Sequence, residues 1–158
     1  MSDYHLPESL ASIELSIDTW LAGFADANPQ FEAIERGDPG EFPEPRWYVR
    51  LRSEEKGHIT IWLTLGQRTL RYEVYVLPWP PENTMQVFEV ALRRNDRLVG
   101  AHFSIGAEDA LFLRGELPLS ALDEPELDRI IGSLYAYVEQ VFPALVRLAF
   151  ASKFADDE

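Results

Sequence analysis

Apolar positions follow two rhythms along this chain: steps of three or four near its ends, and strict alternation in its middle. Leu6, Leu10, Ile13, Ile17, Trp20, Leu21 and Phe24 are spaced as the buried stripe of an amphipathic helix. Pro7 suits the first turn of that helix, and Pro29, which disfavours helical geometry in the residue before it, places the end near Asn28. From Asn28 to Pro45 the chain is dense in proline, glycine and acid, which predicts a long loop carrying one turn of helix. Alternation then takes over. Trp47, Val49 and Leu51, then Ile59, Ile61, Leu63 and Leu65, then Leu70, Tyr72, Val74 and Val76 each occupy every second position of a strand. The connectors "SEEKG" and "GQR" are hairpin-sized, so the three strands form an antiparallel meander.

Pro78, Pro80 and Pro81 stop the third strand around Trp79. A short helix is expected from near Glu82, with Met85, Phe88, Val90, Ala91 and Leu92 as its apolar positions. Two further strands, "RLVGAHFSIG" and "ALFLRGEL", flank a tight turn at "AED". The last helix opens with Asp123 as cap and Glu126 at the reciprocal position of a capping box. Its stripe runs from Leu127 through Ile131, Leu134, Val138 and Leu145 to Leu148, and Pro143 should kink or divide it. The expected fold is α+β: an antiparallel five-stranded sheet in the order α-β-β-β-α-β-β-α, with the long helices on its aliphatic face. Residues 1–158 read as a single domain, with a core from about residue 6 to 152 and an acidic tail over 153–158.

Composition narrows the chemistry. The chain of 158 residues has no cysteine, so disulfides, thiolate nucleophiles and cysteine-based metal sites are excluded. No apolar run approaches the length of a membrane span, and "MSDYHLPESL" lacks the basic segment of a secretory signal, so a cytoplasmic protein is expected. The net charge of −13 disfavours nucleic acid and anionic membranes. Only residues 46–100 are basic, with net +3.

No residue set specifies a reaction. His5, His58 and His102 lack ligand spacing; a His/carboxylate metal site, for instance His102 with Glu116 across a hairpin, is a weak candidate beside ordinary partly exposed histidines. Ser104 near His102 lacks the elbow glycines and ordered partners of an activated nucleophile. Neither a cofactor nor an enzyme activity is expected.

The informative feature is the second face of the meander, which by alternation collects Arg46, Tyr48, Arg50, Arg52, His58, Thr60, Trp62, Thr64, Thr69, Arg71, Glu73 and Tyr75. Arginine among tyrosine and tryptophan is the composition of protein interfaces; single-strand nucleic-acid platforms share it, and so does an ordinary solvated sheet face. Candidate binding residues are Arg50, Arg52, Trp62, Arg71 and Tyr75, with Trp79 either extending this surface from its rigid corner or capping the core.

The stretches "RWYVRLRSEEKGHITIWLTLGQRTLRYEVYVLP", "LRRNDRLVGAHFSIGAEDALFLRGELPL" and "GSLYAYVEQVFPALVRLAF" resemble the YbjN-domain family, bacterial sensory transduction regulators, in an actinobacterial form. The resemblance spans residues 8 to 152. It implies a fold similar to type III secretion chaperones, small α+β proteins that commonly dimerise and bind extended segments of partner proteins. A non-enzymatic regulatory or chaperone-like protein, forming a homodimer and binding a partner protein, is therefore expected; the fold likeness implies no part in secretion. The alternative is a small-molecule sensor with an apolar pocket between sheet and helices, lined by Trp20, Phe24, Phe103 and Phe112.

Overall fold

The computed structural model describes residues 7–155. Leu6, His5 and the last three residues of the acidic tail lie outside them. The elements run α1 (Pro7–Ala27), β1 (Phe31–Arg36), β2 (Arg46–Ser53), β3 (Gly57–Leu65), β4 (Thr69–Leu77), α2 (Thr84–Asn95), β5 (His102–Ile105), β6 (Leu111–Pro118), α3 (Glu124–Ala149) and α4 (Ala151–Ala155). Helix α1 buries Ile17 and Leu21 on its stripe and ends where Pro29 requires. Asn28 turns the chain by accepting the Gln30 N–H at 2.8 Å through its side chain.

The segment read as a loop contains strand β1. It pairs antiparallel with β2 from Phe31 opposite Leu51 to Arg36 opposite Trp47, with a bulge between Phe31 and Ala33. That extra residue breaks the period of two, which is why alternation fails to reveal the strand. The sheet therefore has six strands, not five, in the order β1-β2-β3-β4-β6-β5, with every pairing antiparallel. Strands β1 to β4 form the meander. The chain then passes through α2 to the far edge as β5 and returns as β6 between β5 and β4.

Helix α3 lies over β3 and β4, with α1 and α2 packed against it. Trp47, Val49, Ile59, Ile61, Leu63 and Val74 from the sheet meet Leu127, Ile131, Leu134, Val138 and Leu145 of α3, all at most 1% exposed. Pro143 neither divides α3 nor ends it: the helix runs unbroken to Ala149, held by buried Val141 and Leu145 on either side of the proline, and the chain turns at Phe150. The capping box is half formed. Asp123 accepts the Glu126 N–H at 2.9 Å, but the Glu126 carboxylate is held by Arg129 at 2.9 and 2.8 Å.

Helix α2 begins two residues later than the sequence suggests, because the corner is built by other bonds. Asn83 sits in the left-handed region and donates its side-chain amide to the Leu148 carbonyl at 2.8 Å, while Glu82 accepts from the N–H and hydroxyl of Ser152. Glu82 and Asn83, just after the prolines, therefore tie the end of the sheet to the end of α3.

Candidate protein-binding face

Because the helices gather on one side, the opposite side of the sheet carries none of them among the described residues. Register builds this face in rows. Glu35, Tyr48, Trp62, Glu73, Arg114 and His102 stand opposite one another across all six strands. Arg46, Thr64, Arg71 and Glu116 form the next row. Four rings join edge to face along a diagonal: Tyr48 to Trp62 at 5.9 Å, Trp62 to Phe112 at 5.9 Å and Phe112 to Tyr75 at 5.7 Å between centroids. Phe112 is only 3% exposed although no helix covers it, since its neighbours' rings and Gly106 enclose it; a side chain at position 106 would start 2.6 Å from the Phe112 ring.

Two open depressions cut this face. The larger, about 560 Å³, is bordered by Arg46, Arg71, Arg114, His102, Ser104 and Glu116. The smaller, about 350 Å³, is bordered by Tyr48, Arg50, Thr60 and Trp62.

Of the six candidate residues, Arg50, Arg52, Trp62, Arg71 and Tyr75 share this face, as alternation requires. Trp79 does not join them. Its ring packs on Phe88 of α2 at 5.1 Å and remains 49% exposed, so it both covers part of the core and shows half of itself, in a patch belonging to α2. The face is also less basic than a count over β2 to β4 suggests. Arg50 pairs with Glu32 at 3.1 Å, Arg71 with Glu44, and Arg114 with Glu73 at 2.9 Å. Glu32 comes from β1, where no strand was expected, and Glu44 from the loop before β2, so the acids that balance the arginines arrive only on folding. Arg46 and Arg52 enter no ion pair among the described residues. Arg46 donates to the Thr64 hydroxyl at 3.1 Å and lies 3.9 Å over the Phe42 ring.

Sequence reasoning left Phe112 and Arg114 out of the site. The alternation of "ALFLRGEL" marks them as sharing one side of β6, but only the insertion of β6 beside β4 puts that side next to Trp62 and Tyr75. Lys56, from the β2–β3 turn, reaches the end of the face with its ammonium 5.6 Å from the rings of both Tyr75 and Phe142. Burial lowers its pKa, and burial followed by the charge of Glu108 raises that of Tyr75.

Among the described residues the lining proposed for the sensor alternative does not enclose an apolar pocket. Phe112 points away from the helices, Phe103 is core, and the recesses between the layers beside Tyr135 and Tyr72 hold about 50 and 10 Å³, far below the several hundred a metabolite needs. His102 and Glu116 border the same depression, but no group of three or more potential ligands for a metal occurs among the described residues.

Comparison with known proteins places this architecture. Residues 18–147 match the YbjN family, described as "Putative bacterial sensory transduction regulator". The chain belongs to the YbjN family. Uncharacterised proteins of Mycobacterium bovis and Mycobacterium tuberculosis are 37% identical over 123 residues, 78% of this chain and 67% of each of theirs. One from Mycobacterium leprae is 30% identical over 107 residues, 68% of this chain and 58% of its own. Among solved structures, a chain of the heterodimeric complex ExoU–SpcU from the type III secretion system of Pseudomonas aeruginosa superposes with a TM-score of 0.52, covering 80% of this chain and 95% of that one at 18% identity. At that identity the likeness concerns the fold alone. For this YbjN protein the α+β, type III secretion chaperone-like fold stands, with six strands in place of five.

Proposed function

We propose that this YbjN protein is a non-enzymatic protein-binding domain, cytoplasmic and homodimeric, that engages a partner protein across the helix-free face of its sheet. The observation that carries this reading is the diagonal of four rings, Tyr48, Trp62, Phe112 and Tyr75, lying between paired arginines with no helix over it. Rings offer large contact area at small entropic cost, and paired charges need not be stripped of water singly when a partner arrives. The structural likeness to a chain from a two-protein complex supports a protein partner, and the small interlayer recesses favour a surface over a pocket. Alternating charge also weakens the nucleic-acid reading, because Glu35, Glu73 and Glu116 would face a phosphate chain.

Thr60→Arg tests the reading by filling the smaller depression while leaving the ring contacts in place. Affinity capture from native extract is expected to retain a stoichiometric partner on the wild-type chain and lose it on the variant, both melting at the same temperature. Equal retention by the two chains would move the interface elsewhere. Light scattering at micromolar concentration is expected to give twice the chain mass; a monomer would remove the dimer from the proposal.

A further inference from the structure

The larger depression carries a feature that a merely solvated face lacks. Its donors exceed their partners. Arg46 spends one N–H on Thr64 and meets no carboxylate, although it is half-buried. The Ser104 hydroxyl, on edge strand β5, is shielded from solvent and has no hydrogen-bond partner. The acids bordering the depression meet other donors and not Arg46: Glu73 is held by Arg114, and one oxygen of Glu116 accepts from the Thr69 hydroxyl at 3.2 Å, which leaves both carboxylates with lone pairs to spare. Arg71 is held by Glu44, and exposed His102 stands beside Arg114 in register. Buried polar groups are ordinarily satisfied, so an orphan donor and an unpaired guanidinium at opposite ends of one recess call for an acceptor supplied from outside.

Resting on the protein-binding reading, we propose that this depression takes an extended peptide segment with two carboxylates, one received by Arg46 and the other by Ser104 and His102. Arg46 and His102 are four strands apart and offset by one two-residue step, which places them about 20 Å apart, the span of about six extended residues, with Ser104 one further step along β5. Carboxylates at positions i and i+6 of a strand-like segment meet both ends on one side of the peptide, and residues between them cross Glu73 and Glu116, which accept from its backbone or hydroxyl groups. A continuous phosphate backbone has no such gap in its charge, which is why a peptide and not a nucleic acid fits the alternation.

The test uses the full chain and a fluorescein-labelled heptapeptide of sequence Glu-Thr-Val-Thr-Val-Thr-Glu, titrated by fluorescence anisotropy at low salt. Versions with glutamine or lysine at both ends and a ten-residue oligothymidylate serve as comparisons. The glutamate peptide is expected to bind at least tenfold more tightly than either comparison peptide and than the oligonucleotide. Arg46→Gln is expected to weaken it five- to tenfold while leaving the glutamine peptide unchanged, and Ser104→Ala to weaken it about threefold, with circular dichroism confirming that each variant is folded. Equal binding of the lysine peptide, tighter binding of the oligonucleotide, indifference to Arg46→Gln, or no binding of the glutamate peptide at millimolar protein would each overturn the proposal. Should partner capture depend on Thr60 while the peptide result is negative, the protein-binding reading stands and only its acidic ligand falls.

Discussion

Asp18 joins groups that lie far apart in the chain. It accepts the indole N–H of fully buried Trp47 at 2.8 Å and the Arg36 guanidinium at 2.9 Å, and Arg36 in turn lies 4.6 Å over the Trp47 ring and bonds Glu14. One carboxylate on α1 thereby fixes β1 and β2 beneath it. Asp18→Ala leaves the buried indole donor unsatisfied and is expected to cost about 2 kcal/mol in urea denaturation, whereas Asp18→Asn, which keeps an acceptor, should retain most of that. Equal stability of all three chains would show that the bond contributes nothing. Gly115 illustrates a constraint of another kind: a methyl group there would stand 2.3 Å from the Gly100 carbonyl, because the loop before β5 crosses the sheet at that point, where Tyr72 donates to the same carbonyl at 2.6 Å. In the sequence, Asp18 is one polar position of a helix and Gly115 an ordinary strand glycine. Their partners are about 18 to 30 residues from Asp18, and 15 and 43 residues from Gly115, so local pattern carries no trace of either.

Strand β5 shows how an element of this size is protected. It is an edge of four residues, and the Asn95 side chain, at the end of α2, accepts the Phe103 N–H at 2.6 Å and donates to the Phe103 carbonyl at 3.2 Å. The amide occupies the outward edge as another strand would, blocking edge-to-edge pairing. Asn95→Ala removes both bonds, with an expected loss of about 1–3 kcal/mol and a rise in concentration-dependent aggregation measurable by light scattering. The β5–β6 connection stores strain instead. Glu108 and Asp109 have φ of 58° and 59°, the pair of left-handed residues that a type I′ turn requires, yet neither is glycine or asparagine. Replacing them together, Glu108→Asn with Asp109→Gly, is expected to stabilise the chain by about 1 kcal/mol, a rise of about 2–4 °C in Tm by calorimetry. No gain would mean that other contacts of these side chains offset the strain. The tight turn at "AED" and the strands beside it are legible in the sequence; β1 is not, since its bulge removes the period that announces a strand.

At the scale of the molecule, burial sets a pH dependence with two limbs. Burial holds the pKa of Lys56 below 10.5, so between that lowered value and 10.5 the unfolded chain binds a proton that the native chain lacks, and the Lys56 contribution to stability rises with pH through this window. Burial raises the pKa values of Tyr72, Tyr75 and Tyr135 above 10.0, so their contribution is whole below pH 10 and is lost as pH rises through their folded values. Urea titrations at closely spaced pH should show Lys56→Met flattening the first limb and leaving the alkaline fall unchanged. A wild-type profile with no rise below pH 10 would contradict the burial of the Lys56 ammonium between Tyr75 and Phe142.

Periodicity alone determined the α+β class, five of the six strands, the helix stripes and the sidedness of the meander, because side-chain direction alternates with a fixed period whatever lies elsewhere in the chain. Five of the six candidate residues share one face for the same reason. Tertiary structure decided which strand lies beside which. The return of β6 between β4 and β5 set Phe112 among Trp62 and Tyr75, β1 and its neighbouring loop brought Glu32 and Glu44 to the arginines, and the proline corner turned Trp79 toward α2. Charge balance and ring contacts depend on neighbours distant in sequence, and a one-dimensional pattern contains only the neighbours along the chain.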